Sequence, residues 1–369
     1  MRNIKLRLKK FVDCLYRESS QDEKNHRSIP CKLLIGVYLA WLLPFAFFAE
    51  LYLAGWNLRS WDYLLLSGVL VFAVGVILGQ RLPHQMKETL DSLLNCGSLN
   101  LTRGELLERK KEIGIRANRW AAIGGALSGI AVLTTFLFAY GRESLLSERC
   151  LLTISEVIGG VIVGRVLGVA ASYGYLPKLL KKTLVVQPGH TDGAAGLRPI
   201  GTLYWRQSLL VGIPAFYLGA WYLLIPLVRQ QHYLQWRRWY FYLFAAVMFI
   251  EMLAFFIPLW RFHKIMQQQK ERMKPKADRL SVKIEAIKQR LLENSAPEVA
   301  SLLLNQVQTL TDNYQAMVRM ATFPIDAKTT RRYAFQTLAL MTPFFTKLAE
   351  ASGLSQKAVN FAQTVISHL

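Results

Sequence analysis

WYFYLFAAVMFIEMLAFFIPLW, residues 239–260, is the stretch on which the fold turns. A helix of this length covers about 33 Å, enough to cross a hydrocarbon core of about 30 Å. It holds one charged residue, Glu251, and is bounded by Trp239 and Trp260, whose amphipathic rings favour the headgroup level. Working outward, apolar windows of similar length recur at 33–54, 62–80, 120–141, 151–174 and 206–228. Together they predict an all-α polytopic membrane bundle of about six transmembrane helices. Trp56, Trp61, Trp120, Tyr204, Trp205 and Trp236 fall near the ends of these windows.

The 369-residue chain is 52% hydrophobic with a mean hydropathy of +0.22, yet its net charge is +21 and its pI about 9.9. A nucleic-acid binder would gather that charge in one basic domain. Here Lys and Arg alternate with the apolar windows: nine in residues 1–32, seven in 81–118 and five in 175–206, against six in 55–61, 142–150 and 229–238 together. That asymmetry predicts a protein of the inner or plasma membrane with both termini cytoplasmic, and no nucleic acid is expected as partner. No apolar run precedes Cys31 that would make a cleaved signal peptide. The cysteines at 14, 31, 96 and 150 form no CxxC pair, so neither a zinc site nor a disulfide framework is indicated, and no metal or cofactor is expected.

Three parts follow. Residues 1–30 form a basic amphipathic segment with Ile4, Leu8, Phe11, Val12 and Leu15 on one helical face, suited to an anionic lipid surface or to packing on protein. Residues 31–260 are the transmembrane domain, with a cytoplasmic hairpin at 81–118 read as two short helices, the second opening at the capping-box spacing of Thr102 and Glu105. Residues 261–369 form a cytoplasmic helical module. Its heptad-spaced Met266, Met273, Leu280 and Ile287 suit either a short coiled coil or packing against a helix at 299–320. The apolar run Ala334 to Ala349 is expected to touch the membrane surface, since its length, Pro343 and Lys347 argue against a seventh span.

Charges at membrane depth are costly and imply partners or pathways. Arg165 and Glu251 lie near the middle of their windows, while Glu50 and Glu156 lie in the outer third. They suit either a polar conduit or a buried Arg–Glu tie with hydrogen-bonded glutamates. Gly160, Gly164 and Gly168, with Gly125 and Gly129 and with Gly75 and Gly79, have the four-residue spacing that lets helices pack closely. Gly212, Pro214, Gly219 and Pro226 predict a kinked or unwound fifth span.

Two cytoplasmic strings stand out. QPGHTDGAAGLRPIG (187–201) brings His190, Asp192 and Arg198 into a glycine-rich loop that has neither the Walker lysine nor a GxGxxG pattern. TFPIDAKTTRRYAF (322–335) carries Asp326 at a helix N-cap position, followed by Arg331 and Arg332. Docking of the two strings would give Asp192 or Asp326 an arginine partner. His190, Asp192, Gly196 and Leu197, then Phe323, Pro324, Asp326, Thr329, Arg332 and Tyr333, resemble the H-P-D-x-x-G-G-L loop and W-P-F/I-D-x-x-T-x-R-F string of uncharacterised bacterial multi-spanning membrane proteins. Thr191, Ala195 and Phe323 depart from those patterns, and the resemblance implies no activity.

The leading functional expectation is an oligomeric ion channel or membrane-conductance effector, a homo-oligomer in the lipid bilayer gated or assembled through its cytoplasmic module. The alternative is a scaffold or signal transducer binding a cytoplasmic protein partner. An enzyme using the 187–201 loop ranks last, because no nucleophile or metal cluster accompanies His190 and Asp192.

Overall fold

The computed structural model describes residues 63–140, 150–226, 231–293 and 297–351, with Phe48 and Tyr52. Glu50 and the 1–30 segment lie outside the described residues, as does the 33–54 window apart from those two aromatics. The described chain is all-helical: α1 Tyr63–Asn95, α2 Arg103–Tyr140, α3 Cys150–Tyr173, α4 Leu176–Leu180, α5 Arg198–Leu224, α6 Gln231–Glu293, α7 Pro297–Val318 and α8 Ala327–Ala351. Extended backbone pairs only at an isolated antiparallel bridge, Leu99 to Leu184, among the described residues. Three stretches are long and apolar enough to cross a membrane: Thr153–Leu180, Arg198–Leu224 and Tyr240–Glu293.

The 81–118 hairpin is not a pair of separate short helices. Its two arms continue α1 and α2 without a break, α1 passing through Pro83, and the reversal is confined to residues 96–102. Gly97 turns the chain at φ +70°, and Thr102 then caps α2. Glu105 N–H donates to Thr102 Oγ1 at 3.3 Å while Thr102 N–H donates to Glu105 Oε2 at 2.7 Å, a reciprocal capping box.

Contacts divide the chain into two units. One holds the described residues of Met1–Gln80 and Arg119–Gly168, the other those of Arg81–Asn118 and Val169–Leu369. In the first, glycines bring α2 and α3 together within the same chain. A Cβ on Gly164 would press on the Gly124 carbonyl, and one on Gly168 would lie 3.0 Å from Ala121 Cα. Gly160 faces Val132, Gly129 and Gly125 face Val161, and Gly79 receives Val166, whereas Gly75 has nothing within 4 Å. Gly124, which the four-residue spacing passes over, is at the centre of this contact.

In the second unit α5, α6 and α8 share a core of Ala215, Tyr222, Phe241, Phe244, Met248 and Leu340. Each fully buried aromatic here is worth about 1.5–3 kcal/mol of transfer free energy. α5 runs unbroken through Pro214 instead of unwinding. Its Gly212 and Gly219 serve another purpose: a Cβ on Gly212 would meet Gln336 at 3.3 Å, and one on Gly219 would meet Pro343 at 3.0 Å. α6, at 63 residues about 95 Å long, continues through Pro258 and Pro275, and α7 packs back along it. Of the heptad stripe on α6, Met266 is buried and Met273, Leu280 and Ile287 are half-buried, and α7 of the same chain packs on this helix.

Candidate functional site

The loop after α4 is rigid for a reason legible atom by atom. Gly189, Gly193, Ala195 and Gly196 adopt φ between +55° and +86°, which turns successive amides inward. Asp192 collects them: Oδ1 accepts the N–H of Ala194 at 2.9 Å and of Gly196 at 3.0 Å, and Oδ2 accepts that of Arg198 at 3.2 Å. His190 Nδ1 lies 3.0 Å from Asp192 Oδ1. Burial pushes the Asp192 carboxyl up, but these backbone donors and His190 outweigh it and hold the group below the usual aspartate value. Ser98 Oγ donates to Gly196 O at 3.0 Å and Gln187 Nε2 to Cys96 O at 2.7 Å, fastening the loop to the hairpin turn.

The second string meets this loop. Arg198 Nε, on the first residue of α5, lies 3.1 Å from Asp326 Oδ2. Asp326 is also the N-cap of α8, its Oδ1 accepting the Thr329 N–H at 3.0 Å. Burial raises the Asp326 carboxyl, and the hydrogen bonds from Thr329 with the charge of Arg198 bring it below its ordinary value. Gly201 gives the backbone of Pro324 and Ile325 room to lie against α5. His263 stacks on Phe323 with centroids 4.1 Å apart, and its Nδ1 sits 2.7 Å from Thr322 O. Arg332 lies over the Trp205 ring at 5.1 Å, while Arg331 is exposed on α8.

Between the loop and the C-terminal turn of α7 a cavity of about 320 Å³ opens, lined by Gly189, His190, Gly193, Asp312, Gln315 and Arg319 among others. It offers a cation, a carboxylate, an amide and an imidazole at its wall. It does not offer a nucleophile, and Asp192 is occupied by backbone amides, so the His190–Asp192 pair is a loop-building contact first. Among the described residues no group of three or more His, Cys, Asp or Glu could hold a metal.

The charged residues at depth fall in different surroundings. Glu251, on α6, is fully buried: Oε1 accepts hydrogen bonds from Ser208 on α5 and, at 3.1 Å, from Gln336 Nε2 on α8. Gln336 Nε2 also reaches Ser208 Oγ at 3.1 Å, and Glu251 Oε2 has no hydrogen-bond partner among the described residues. Arg165 is on α3, its stem beside Gly125 and its buried Nε likewise without a partner among the described residues. Glu156 is also on α3. Ser208, Gln336 and Gln269 escape sequence reading, because a lone Ser or Gln within a helix carries no local signal of its partner. Gln269, on α6, accepts the Val186 N–H at 2.8 Å and donates to Leu184 O.

Compared with known proteins, the chain matches no family model, no curated protein and no solved structure.

Proposed function

We propose that this chain is a polytopic membrane signal transducer or scaffold with about six spans. In this reading the face built by the 187–201 loop, the hairpin turn and α7 is cytoplasmic, and a protein partner docks there. The partner's presence is passed to the membrane helices through α8. The observation that carries the reading is the position of α8: its N-cap Asp326 holds Arg198 at the rim of the loop. Ten residues on, about 15 Å along the same helix, Gln336 holds Glu251. One helix therefore touches both the clamp at the loop and a fully buried carboxylate. The charge asymmetry of the loops supports the orientation.

A conductance effector would call for Glu251 on a water-filled path. Its burial between three helices of one chain, with Ser208 and Gln336 as partners, favours a packing and coupling role instead. Photo-crosslinking from Gln315 in living cells tests the choice. A discrete adduct to one protein, lost in Asp326→Ala while the chain stays in the membrane fraction, is the expected result. No adduct from this face, together with ion conductance of the reconstituted chain that falls in Glu251→Ala, would overturn it in favour of a channel.

A further inference from the structure

The apolar run in α8, expected at the membrane surface, lies against α5 and α6. Along α5 it meets Gly201 at residues 324 and 325, Ser208 at Gln336, Gly212 at Gln336 and Leu340, and Gly219 at Pro343. The two helices thus run side by side in the same direction. Against α6 the order is reversed. Tyr333 stacks on Phe255 with centroids 3.7 Å apart, Gln336 bonds Glu251, and Phe344 lies 5.1 Å from Phe244. Lys347 then sits 3.6 Å over the Phe241 ring. Residues 333–347 of α8 are therefore level with 241–255 of α6, which lie in the interior of the 239–260 window. If α6 crosses a bilayer there, α8 is at the same depth.

The composition of α8 agrees with that position. Between Arg332 and Lys347 no residue is charged, a rise of about 21 Å. The long cationic side chains at both limits extend the reach by snorkelling. Each limit also has an aromatic anchor: Trp205 lies under Arg332, and Phe241 and Tyr242 lie under Lys347. Pro343 leaves the Ala339 carbonyl without its helical N–H, and Thr342 Oγ1 donates to that carbonyl at 2.9 Å. This is how hydrocarbon-embedded helices tolerate proline. Away from α5 and α6, Phe335, Leu338, Phe345 and Leu348 are 75%, 62%, 53% and 67% exposed along one stripe. Phe249, Phe256 and Ile257 of α6 are exposed in the same span.

We propose that α8 is a further membrane-embedded helix beside α5 and α6, that its Phe335, Leu338, Phe345 and Leu348 stripe contacts lipid acyl chains, and that its Ala351 end emerges on the face of the α5–α6 connection. The proposal rests on the reading that α5 and α6 span the membrane, and it moves the end of α8 away from the cytoplasmic side expected from sequence. α8 then seals Glu251 from lipid on the side that α5 and α6 leave open.

Single cysteines in an otherwise cysteine-free full chain test it, with an impermeant maleimide applied to sealed vesicles before and after permeabilisation. Glu350→Cys is expected to label together with Arg238→Cys, and Lys328→Cys with Lys264→Cys, the two pairs on opposite sides. If Arg238→Cys and Lys264→Cys report opposite sides but Glu350→Cys labels with Lys328→Cys, the proposal is overturned and the spanning reading stands. If Arg238→Cys and Lys264→Cys label from one side, the spanning reading itself falls and this inference falls with it. A spin label at Leu338→Cys identifies the occupant. Collisions dominated by oxygen support lipid contact. Collisions dominated by a water-soluble nickel chelate, or shielding from both by a second copy, overturn it.

Discussion

The α2–α3 pair and the α5–α6–α8 group join helices by opposite means. In the first, side chains are removed: Gly124, Gly164 and Gly168 let backbone lie on backbone, and dispersion between close-packed main chains supplies the attraction. In the second, side chains are added: rings of Phe241, Phe244, Phe344, Phe255 and Tyr333 interleave around a hydrogen-bonded carboxylate. The glycine seam is set by one backbone spacing, with the stem of Arg165 beside Gly125 along it. The core of large rings instead closes around one buried acid whose hydrogen bonds join three helices.

Substitutions break or sharpen that contrast in a definite order. Gly164→Val, which forces the α2 and α3 backbones apart, should cost about 3 kcal/mol or more in thermal unfolding in detergent, while Gly75→Ala stays within about 0.5 kcal/mol. Glu251→Ala leaves Ser208 and Gln336 without their acceptor and should cost about 2 kcal/mol, with Glu251→Gln recovering at least half of that. Equal losses for the two variants would mean that volume, not hydrogen bonding, matters there.

Asp192→Ala releases three backbone donors and should cost about 1–2 kcal/mol, seen first as faster amide exchange across 187–201. The same carboxyl gives the loop an acid limit. Because its pKa is depressed in the folded chain, its contribution is complete above the ordinary aspartate value of about 3.9 and is lost as pH falls through the lower folded value. That limb should be missing in Asp192→Asn. A smaller loss belongs to Asp326→Ala, about 1 kcal/mol from a lost cap and a half-exposed ion pair, read as fraying of the first turn of α8 by hydrogen exchange.

Hydropathy marked α5 and the apolar portion of α6 because length and apolarity are local properties that a window measures directly. The capping box at Thr102 and Glu105 was legible for the same reason, its parts being three residues apart. The hairpin was read as separate helices because its charges suggested loops, yet charge at one face does not interrupt a helix whose other face is covered. Pro343 and Lys347 count against a span when α8 is taken alone, and the groups that receive them are distant in sequence. Gly219, over a hundred residues earlier, makes room for the proline, and the rings of Phe241 and Tyr242 receive the lysine. Glu251 stood out as a buried acid, but Ser208 and Gln336 approach it only once three helices have assembled. Arg198 and Asp326 were conspicuous within their own strings, and their 3.1 Å contact joins positions that no local pattern relates.

Gln269 has a consequence for the chain before it is finished folding. The extended backbone at 184–186 pairs on one side with the 98–100 turn, Val185 N–H donating to Ser98 O at 2.9 Å and Asn100 N–H to Thr183 O at 2.8 Å. On the other side a two-residue strand edge would be left open, the kind of edge that recruits another chain. The primary amide of Gln269 closes it by donating to Leu184 O and accepting from Val186 N–H, so one side chain stands in for the missing strand. Gln269→Leu would keep the helix, leave the buried Leu184 carbonyl and Val186 N–H without this partner at a cost of about 1–3 kcal/mol, and reopen the edge, so that self-association would accompany the loss of stability.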